Sequence, residues 1–323
     1  MNATSPIART LALLLTGLWA AIAGAQSNYP DKPITVIVPF PPGIVDGYAR
    51  LVATKAGAIL GQPMVIKNQA GAGQRIGTDA MTKAPKDGYT IGVITNAGVV
   101  SGPVLANSVP YDPIKDISYL TMIFESHYLI NTHPASGIKT MAQLLEKAKA
   151  APGKLNFGST GMGTGYHTAT EQFVKNANLT MTHVPYKGES PLLSDLIGGQ
   201  VDMAFSAMAS RAMAEQGKLV MLAYTGEKRS ALIPNVPTAK ELGIPHISSG
   251  WLGFAMPAGV PAAVRDKLIA ALTAAVNDPE VVANFSKSGG EPRTLSGDAF
   301  AARVKRELDD MRELNKELKI SID

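Results

Sequence analysis

Four segments combine Gly, Pro and hydroxyl residues directly after β-branched runs, and they hold most of the side chains that could do chemistry. The first is Val38-Pro39-Phe40-Pro41-Pro42-Gly43-Ile44-Val45-Asp46. Ile34 to Val38 reads as a buried strand, and the prolines with Gly43 read as a rigid turn. Asp46 is placed to cap the helix that carries Tyr48, Leu51 and Val52 inward. Free N–H groups at such a helix start form an anion site at the carboxyl edge of a strand. The same pattern also describes an ordinary β–α connection that binds nothing.

The second segment, Gly71-Ala72-Gly73-Gln74-Arg75-Ile76-Gly77, follows a strand and opens a helix, as a dinucleotide fingerprint does. It fails the G-x-G-x-x-G spacing because Ile76 stands where the third Gly is required, and no acid follows at the expected distance. The third, Gly158-Ser159-Thr160-Gly161-Met162-Gly163-Thr164-Gly165-Tyr166-His167, lets a ligand approach the backbone and offers the hydroxyls of Ser159, Thr160 and Thr164. Ser159 with His167 invites a hydrolase reading, but there is no G-x-S-x-G elbow and nothing marks an acid partner for His167. The fourth, Val184-Pro185-Tyr186-Lys187-Gly188-Glu189, ends a strand with Lys187 able to face an anion and Tyr186 able to stack on or hydrogen-bond a ligand. A surface turn with a solvated lysine would look the same. The five histidines (His127, His133, His167, His183 and His246) lack metal-ligand spacing, and H-E-x-x-H is absent, so neither a metal nor a cofactor is expected.

The elements that must position these segments alternate. Strands are expected at Ile34 to Val38, Met64 to Gln69 and Thr90 to Thr95, with a helix from Gly71 to about Ala84 and Asn96 and Ala97 closing the third strand. Leu120 to Asn131 reads as extended and carries the chain into a second unit, where the alternation restarts. There, helices at Thr140 to Ala150, Gly165 to Ala177 and Pro191 to Ile197 interleave with strands at Leu155 to Gly158, Met181 to Val184, Val201 to Phe205 and Leu219 to Tyr224. Trp251 to Met256 is extended, and two or three helices follow, including Val260 to Val276 and Ala299 to Leu318. Such alternation implies parallel sheets covered on both faces. The expected architecture is two α/β lobes: residues 26–126, then 127–249, with 250–323 returning to the first lobe.

Composition narrows the function class. With 46% apolar and 17% charged residues the chain can build a sizeable core. The absence of cysteine excludes disulfides, thiol nucleophiles and Cys-ligated metal. A net charge of +4 without Lys/Arg blocks does not suit nucleic acid but tolerates an anionic small ligand. Residues 1–25 read as a cleaved export signal: Arg9 precedes the apolar core Leu11 to Ile22, and Ala23-Gly24-Ala25 supplies a cleavage site before Gln26. The mature chain is therefore expected free and soluble outside the cytoplasm, as a monomer.

In open α/β sheets ligands sit outside the carboxyl ends of the strands, and two such edges facing each other make a cleft that shuts by hinge motion. The first junction with Asp46, Gly71-Ala72-Gly73 with Ile76-Gly77, Asp87-Gly88-Tyr89 and Val184-Pro185-Tyr186-Lys187-Gly188 together resemble the Bug-type solute-binding proteins of tripartite tricarboxylate transporters. Gly198-Gly199-Gln200-Val201-Asp202 and Pro234-Asn235-Val236-Pro237-Thr238 are similar to further family segments, in order along nearly the whole mature chain. The resemblance implies a two-lobed periplasmic-binding-protein fold with a ligand cleft between the lobes. It implies no enzymatic activity, a small carboxylate ligand held largely by backbone N–H groups, hydroxyls and water, and membrane transporter subunits as partners.

Carried over by motif, the ligand-facing residues would be Pro42, Gly43, Ile44, Val45 and Asp46, with Asn96 and Ala97, from the first lobe. The second lobe would supply Ser159, Thr160, Thr164, His167, Tyr186, Lys187 and Ser206. Two departures stand out: Ile44 and Val45 replace a commoner Gly and small polar residue, and Ser206 stands where the family often has Asp or Asn. Both make the cleft more apolar and point to an apolar-bodied carboxylate such as terephthalate. The alternatives are a receptor that hands its ligand to a membrane kinase, or an exported Ser/His hydrolase.

Overall fold

A computed structural model describes residues 29–322, so the expected export signal lies outside the described residues. The chain order is β1 (Ile34–Val38), α1 (Ile44–Leu60), β2 (Met64–Asn68), α2 (Arg75–Thr82), β3 (Thr90–Thr95), a π-helical turn Ala97–Ser101, α3 (Gly102–Leu105) and β4 (Ile117–His127). It continues with β5 (Leu129–Thr132), α4 (Met141–Ala150), β6 (Asn156–Ser159), α5 (Gly165–Asn176), β7 (Thr182–Pro185), α6 (Glu189–Ile197), β8 (Met203–Ser206), α7 (Arg211–Glu215) and β9 (Val220–Tyr224). The last elements are β10 (Ser249–Pro257), α8 (Ala262–Val276), α9 (Pro279–Lys287), β11 (Glu291–Pro292) and α10 (Gly297–Leu318).

Two sheets result, in the orders β11-β4-β10-β3-β1-β2 and β7-β6-β8-β5-β9. Neither is purely parallel, which corrects the sequence expectation. In the first, β1, β2 and β3 are parallel, but β10 runs antiparallel to both β3 and β4. In the second, β6, β7 and β8 are parallel and β5 is antiparallel to β8 and β9. The physical reason is the crossing between lobes: β4 continues into β5 after one residue, so a strand leaving one sheet must enter the other reversed. Helix starts also moved. Asp46 does not cap α1; Gly43 occupies the N-cap without a side-chain cap. The α2 helix begins at Arg75 rather than Gly71, because Ala72, Gly73 and Gln74 all take left-handed φ of 45°, 59° and 78°. Gly77 lies where α2 meets the first two strand ends; a Cβ there would stand 2.6 Å from Gln69 O and 2.8 Å from Pro39 Cβ.

The β1 strand shows how the first lobe packs. Ile34, Val36 and Val38 join the layer of α1 and α8 on one face, with Ala49, Val52, Ala53, Leu268 and Leu272. Ile37 turns to the opposite layer with Phe300, Val304 and Leu308 of α10. The second lobe buries Ile130, Phe157, Phe173, Met203 and Phe205 on one face and Leu192, Leu193, Leu196 and Val201 on the other. The helix α10 holds the sheet beside the crossing through charge. Arg303 pairs with Glu125 of β4 at 2.7 Å and with Glu307 at 2.8 Å, and Glu307 accepts from Trp251 Nε1 at 2.9 Å. Burial opposes ionisation of Glu125, yet the Arg303 guanidinium and the Ser249 hydroxyl together hold the carboxyl below its usual range.

Two predictions follow from this packing. Replacing Arg303 by Met would leave Glu125 largely buried without its closest cation, and should lower the unfolding free energy by about 3 kcal/mol in urea titration. The second concerns His246, which is 2% exposed with Phe173 and Phe205 edge-on at 5.6 and 5.8 Å. Burial pushes its pKa down to about 4 from 6.5. The unfolded chain therefore takes up its proton first on acidification. Its stabilising contribution is complete above about pH 6.5 and lost as the pH falls toward about 4, by up to about 1.4 kcal/mol per pH unit. The His246→Gln variant should show a flatter decline of urea midpoint between those limits than the parent.

Candidate functional site

The carboxyl ends of β1, β2 and β3 share one edge of the first lobe, and those of β6, β7 and β8 share one edge of the second. The two edges approach each other. A Cβ at Gly163, in the loop after β6, would meet Leu105 Cδ1 at 3.2 Å, and Leu105 ends α3, just past β3. The rear of this cleft is the lobe crossing, where the Tyr128 hydroxyl packs against the backbones of Gly165 and Gly250.

On the first-lobe side, Pro42, Gly43 and Ile44 are exposed and Val45 is half-buried. Ile44 is 75% exposed, Ile76 at the second junction 48%, and Met162 on the opposing loop 44%. Three large apolar side chains thus stand unburied at junctions on the two facing edges. Asp46, in contrast, is buried and spent inside the lobe: its carboxylate accepts from Arg50 Nε and from Asn68 Nδ2, both at 2.7 Å. Burial works against its charge, but these two bonds hold its pKa below the usual range. Asn96 donates to Glu307 at 2.9 Å, while its Oδ1 is buried without a partner. Ala97 begins the π-helical turn. Gln74 of the second Gly-rich segment lies between Thr95, whose hydroxyl donates to its Oε1 at 2.7 Å, and the backbone of Gly98, a role its place in the chain does not mark.

On the second-lobe side the hydroxyls are largely turned into their own loop. Thr164 caps α5 by accepting the His167 N–H; its hydroxyl donates to Gly161 O at 2.8 Å and accepts from Thr160 at 3.1 Å. Ser159 is fully buried, and its partner is His183, not His167: Oγ lies 2.7 Å from His183 Nε2. A serine without access to solvent has no path to a substrate carbonyl, which argues against nucleophilic attack at this position. His183 lies flat on His167, with ring centroids 3.9 Å apart and 13° between planes, and Phe157 covers its other side. Burial, with His167 adding to it, pushes the His183 pKa down to about 4. The Tyr186 hydroxyl donates to Asp195 at 2.9 Å, Lys187 is exposed, and Ser206 is buried in a chain with Asn131 and Ser210.

His167, Glu171 and His183 bring ligand-type atoms within 4.8 Å of one another, a grouping the linear spacing did not reveal. The hydrogen bonds oppose a metal there. The Gly163 N–H donates to His167 Nδ1 at 3.0 Å, so the ring proton sits on Nε2, the atom 3.5 Å from Glu171. Stacked parallel rings also aim their lone pairs side by side rather than at one point. The cluster reads as a hydrogen-bonded stack that stiffens the loop. Two recesses of about 250 and 350 Å³ lie elsewhere, the first around Tyr119 and Arg265, the second between Arg211 and Lys287, and neither is formed by the junction loops.

Among the described residues no helix is long and apolar enough to cross a membrane. The pattern of the tripartite tricarboxylate transporter family receptor, TctC, matches residues 48–320. The protein BugT of Bordetella pertussis is 34% identical over 292 residues, covering 88% of this chain and 90% of its own. Among solved structures, an R. palustris protein with adipate is 28% identical with a TM-score of 0.75, covering 91% of this chain and 99% of its own. MatC from Rhodopseudomonas palustris with bound malate is 26% identical with a TM-score of 0.71, covering 88% and 99%. A family pattern spanning both sheets, with relatives alike over nearly their full lengths, is decisive: the chain belongs to the tripartite tricarboxylate transporter receptor family and is a periplasmic solute-binding receptor of the Bug type.

Proposed function

We propose that this receptor captures an apolar-bodied carboxylate between its lobes and delivers it, as a monomer and without chemical change, to the membrane subunits of a tripartite transporter. The observation that carries this reading is the make-up of the facing edges. The α1 and α2 helices start at the first-lobe edge with no side-chain cap, α1 behind Gly43 and α2 behind the left-handed Gln74. Their first-turn N–H groups and positive dipole ends suit a carboxylate. Ile44, Ile76 and Met162 stand beside them as apolar surface awaiting cover. The left-handed Ala72 and Gln74 add backbone strain at the same edge, a cost that clusters at ligand sites. The neighbours solved with adipate and with malate support the carboxylate class.

Magnitudes are adequate. A carboxylate at a partly buried helix start gains up to about 2 kcal/mol, each charge-assisted hydrogen bond about 1.5–3 kcal/mol, and burial of a ring roughly 1.5–3 kcal/mol. After the cost of association, low-micromolar affinity is attainable.

The test is a thermal-shift panel of mono-, di- and tricarboxylates, with terephthalate as the first aromatic member. A true ligand at 100 times its Kd should stabilise by ~2.7 kcal/mol and be recovered with its mass unchanged. A preference for citrate or aspartate over every apolar-bodied member would refute the apolar reading. Converting Ile44 to Ser should weaken an apolar-bodied ligand about tenfold, the equivalent of ~1.4 kcal/mol, while leaving the urea midpoint of the free protein unchanged.

A further inference from the structure

The loop after β7 brings one acid to the second-lobe edge of the cleft. Glu189 opens α6 directly behind Gly188, and its Oε1 accepts the Ala207 N–H at 2.9 Å. Ala207 is the first residue past the carboxyl end of β8. The side chain therefore spans that edge from the β7 loop to the β8 loop. Tyr166, in the first turn of α5, lies near enough that, after burial itself, the Glu189 charge raises its phenol pKa, and its ring lies 5.0 Å from that of Tyr128 at the lobe crossing. Glu189 is half-buried, and the ion pairs among the described residues do not include it. Its two oxygens offer about four acceptor sites, of which the Ala207 N–H uses one.

The cleft is thus asymmetric in charge. The first-lobe edge presents N–H groups, which suit an anion, whereas Glu189 presents spare acceptors and a negative charge. We infer that Glu189 selects the far end of the ligand, accepting a hydrogen bond from a hydroxyl or amino group there and disfavouring a second carboxylate. The inference rests on the carboxylate reading above and narrows it to carboxylates that carry a donor at the other end, with the apolar body lying along Ile44, Ile76 and Met162. Two carboxylates brought within a few ångströms cannot both stay ionised without penalty, while a donor facing an ionised acceptor makes a charge-assisted bond.

A purely structural role, tying the start of α6 to β8, makes a different prediction. The glutamine in Glu189→Gln keeps an oxygen for the Ala207 N–H, so the tie survives and selectivity would not change. The experiment is calorimetric titration at pH 7 of parent and Glu189→Gln protein with two matched pairs, 4-hydroxybenzoate against terephthalate and 6-hydroxyhexanoate against adipate. In the pair that fits, the hydroxy acid should bind the parent at least tenfold more tightly than the diacid. Glu189→Gln should shrink that ratio at least tenfold, with no change in the melting temperature of the free protein. A diacid that binds the parent as tightly as its hydroxy partner, or a ratio unaltered in Glu189→Gln, overturns the inference while leaving the carboxylate reading intact. If no carboxylate binds either form, the carboxylate reading fails and this inference falls with it.

Discussion

The hydroxyl of Thr225 accepts the Tyr128 N–H at 2.8 Å and donates to Ser248 O at 2.7 Å, and on this relay the placement of every other part depends. Tyr128 joins β4 to β5, Thr225 leaves β9, and Ser248 enters β10, so one side chain ties together the two connections that pass between the sheets. Backbone bonds double the tie: Thr225 N–H to Tyr128 O at 3.0 Å and Ser248 N–H to Thr225 O at 3.1 Å. Because the site residues sit on loops at the far ends of different strands, their spacing across the cleft is set by this crossing rather than by any contact among themselves. Hinge closure in such proteins turns about a few element-terminal residues of this kind.

Around the crossing the molecule keeps its charges inside the first lobe. Glu125, Arg303, Glu307 and Trp251 form a partly buried network, and Asn96 at the end of β3 is drawn into it. Such a network contributes less net stability than its short distances suggest, since desolvation offsets much of the attraction. Its consequence is geometric: β3, β4 and β10 are held in one orientation against α10, leaving the edge beyond β1, β2 and β3 as a rigid platform. Lys175 of α5 and Glu317 of α10 add an exposed pair between the lobes at 2.7 Å, an interaction weak enough to yield to motion.

The second-lobe edge has a different character. Thr160 and Thr164 bond each other, Ser159 bonds Gly161 and His183, and the imidazoles of His167 and His183 stack on each other. Polar side chains that looked available in one dimension are thus largely committed in three. What this edge leaves accessible includes Met162, Lys187 and the half-buried acid Glu189. Under the proposed function the tasks would separate: amides and helix ends of the first lobe would recognise charge, Glu189 on the second would discriminate among the molecules that carry it, and Ile44, Ile76 and Met162 would supply apolar cover from both lobes.

The alternation of β-branched runs with helical periodicity made the two α/β lobes and most strand positions legible in the sequence, because burial on both faces demands those residue types whatever their partners. The Gly/Pro junctions were legible for the same local reason: a tight turn needs them. Strand direction was not, since β5 and β10 run antiparallel because each is the strand by which the chain enters a lobe from the crossing. Nor was the fate of the polar groups. Asp46 bonds Asn68, 22 residues on; Ser159 meets His183 rather than His167; Glu189 reaches Ala207. Local sequence determined where the chain turns and which face it buries. Only the tertiary structure decided which polar side chains are spent on one another and which face the cleft, because hydrogen-bond partners are chosen by distance in space and not along the chain.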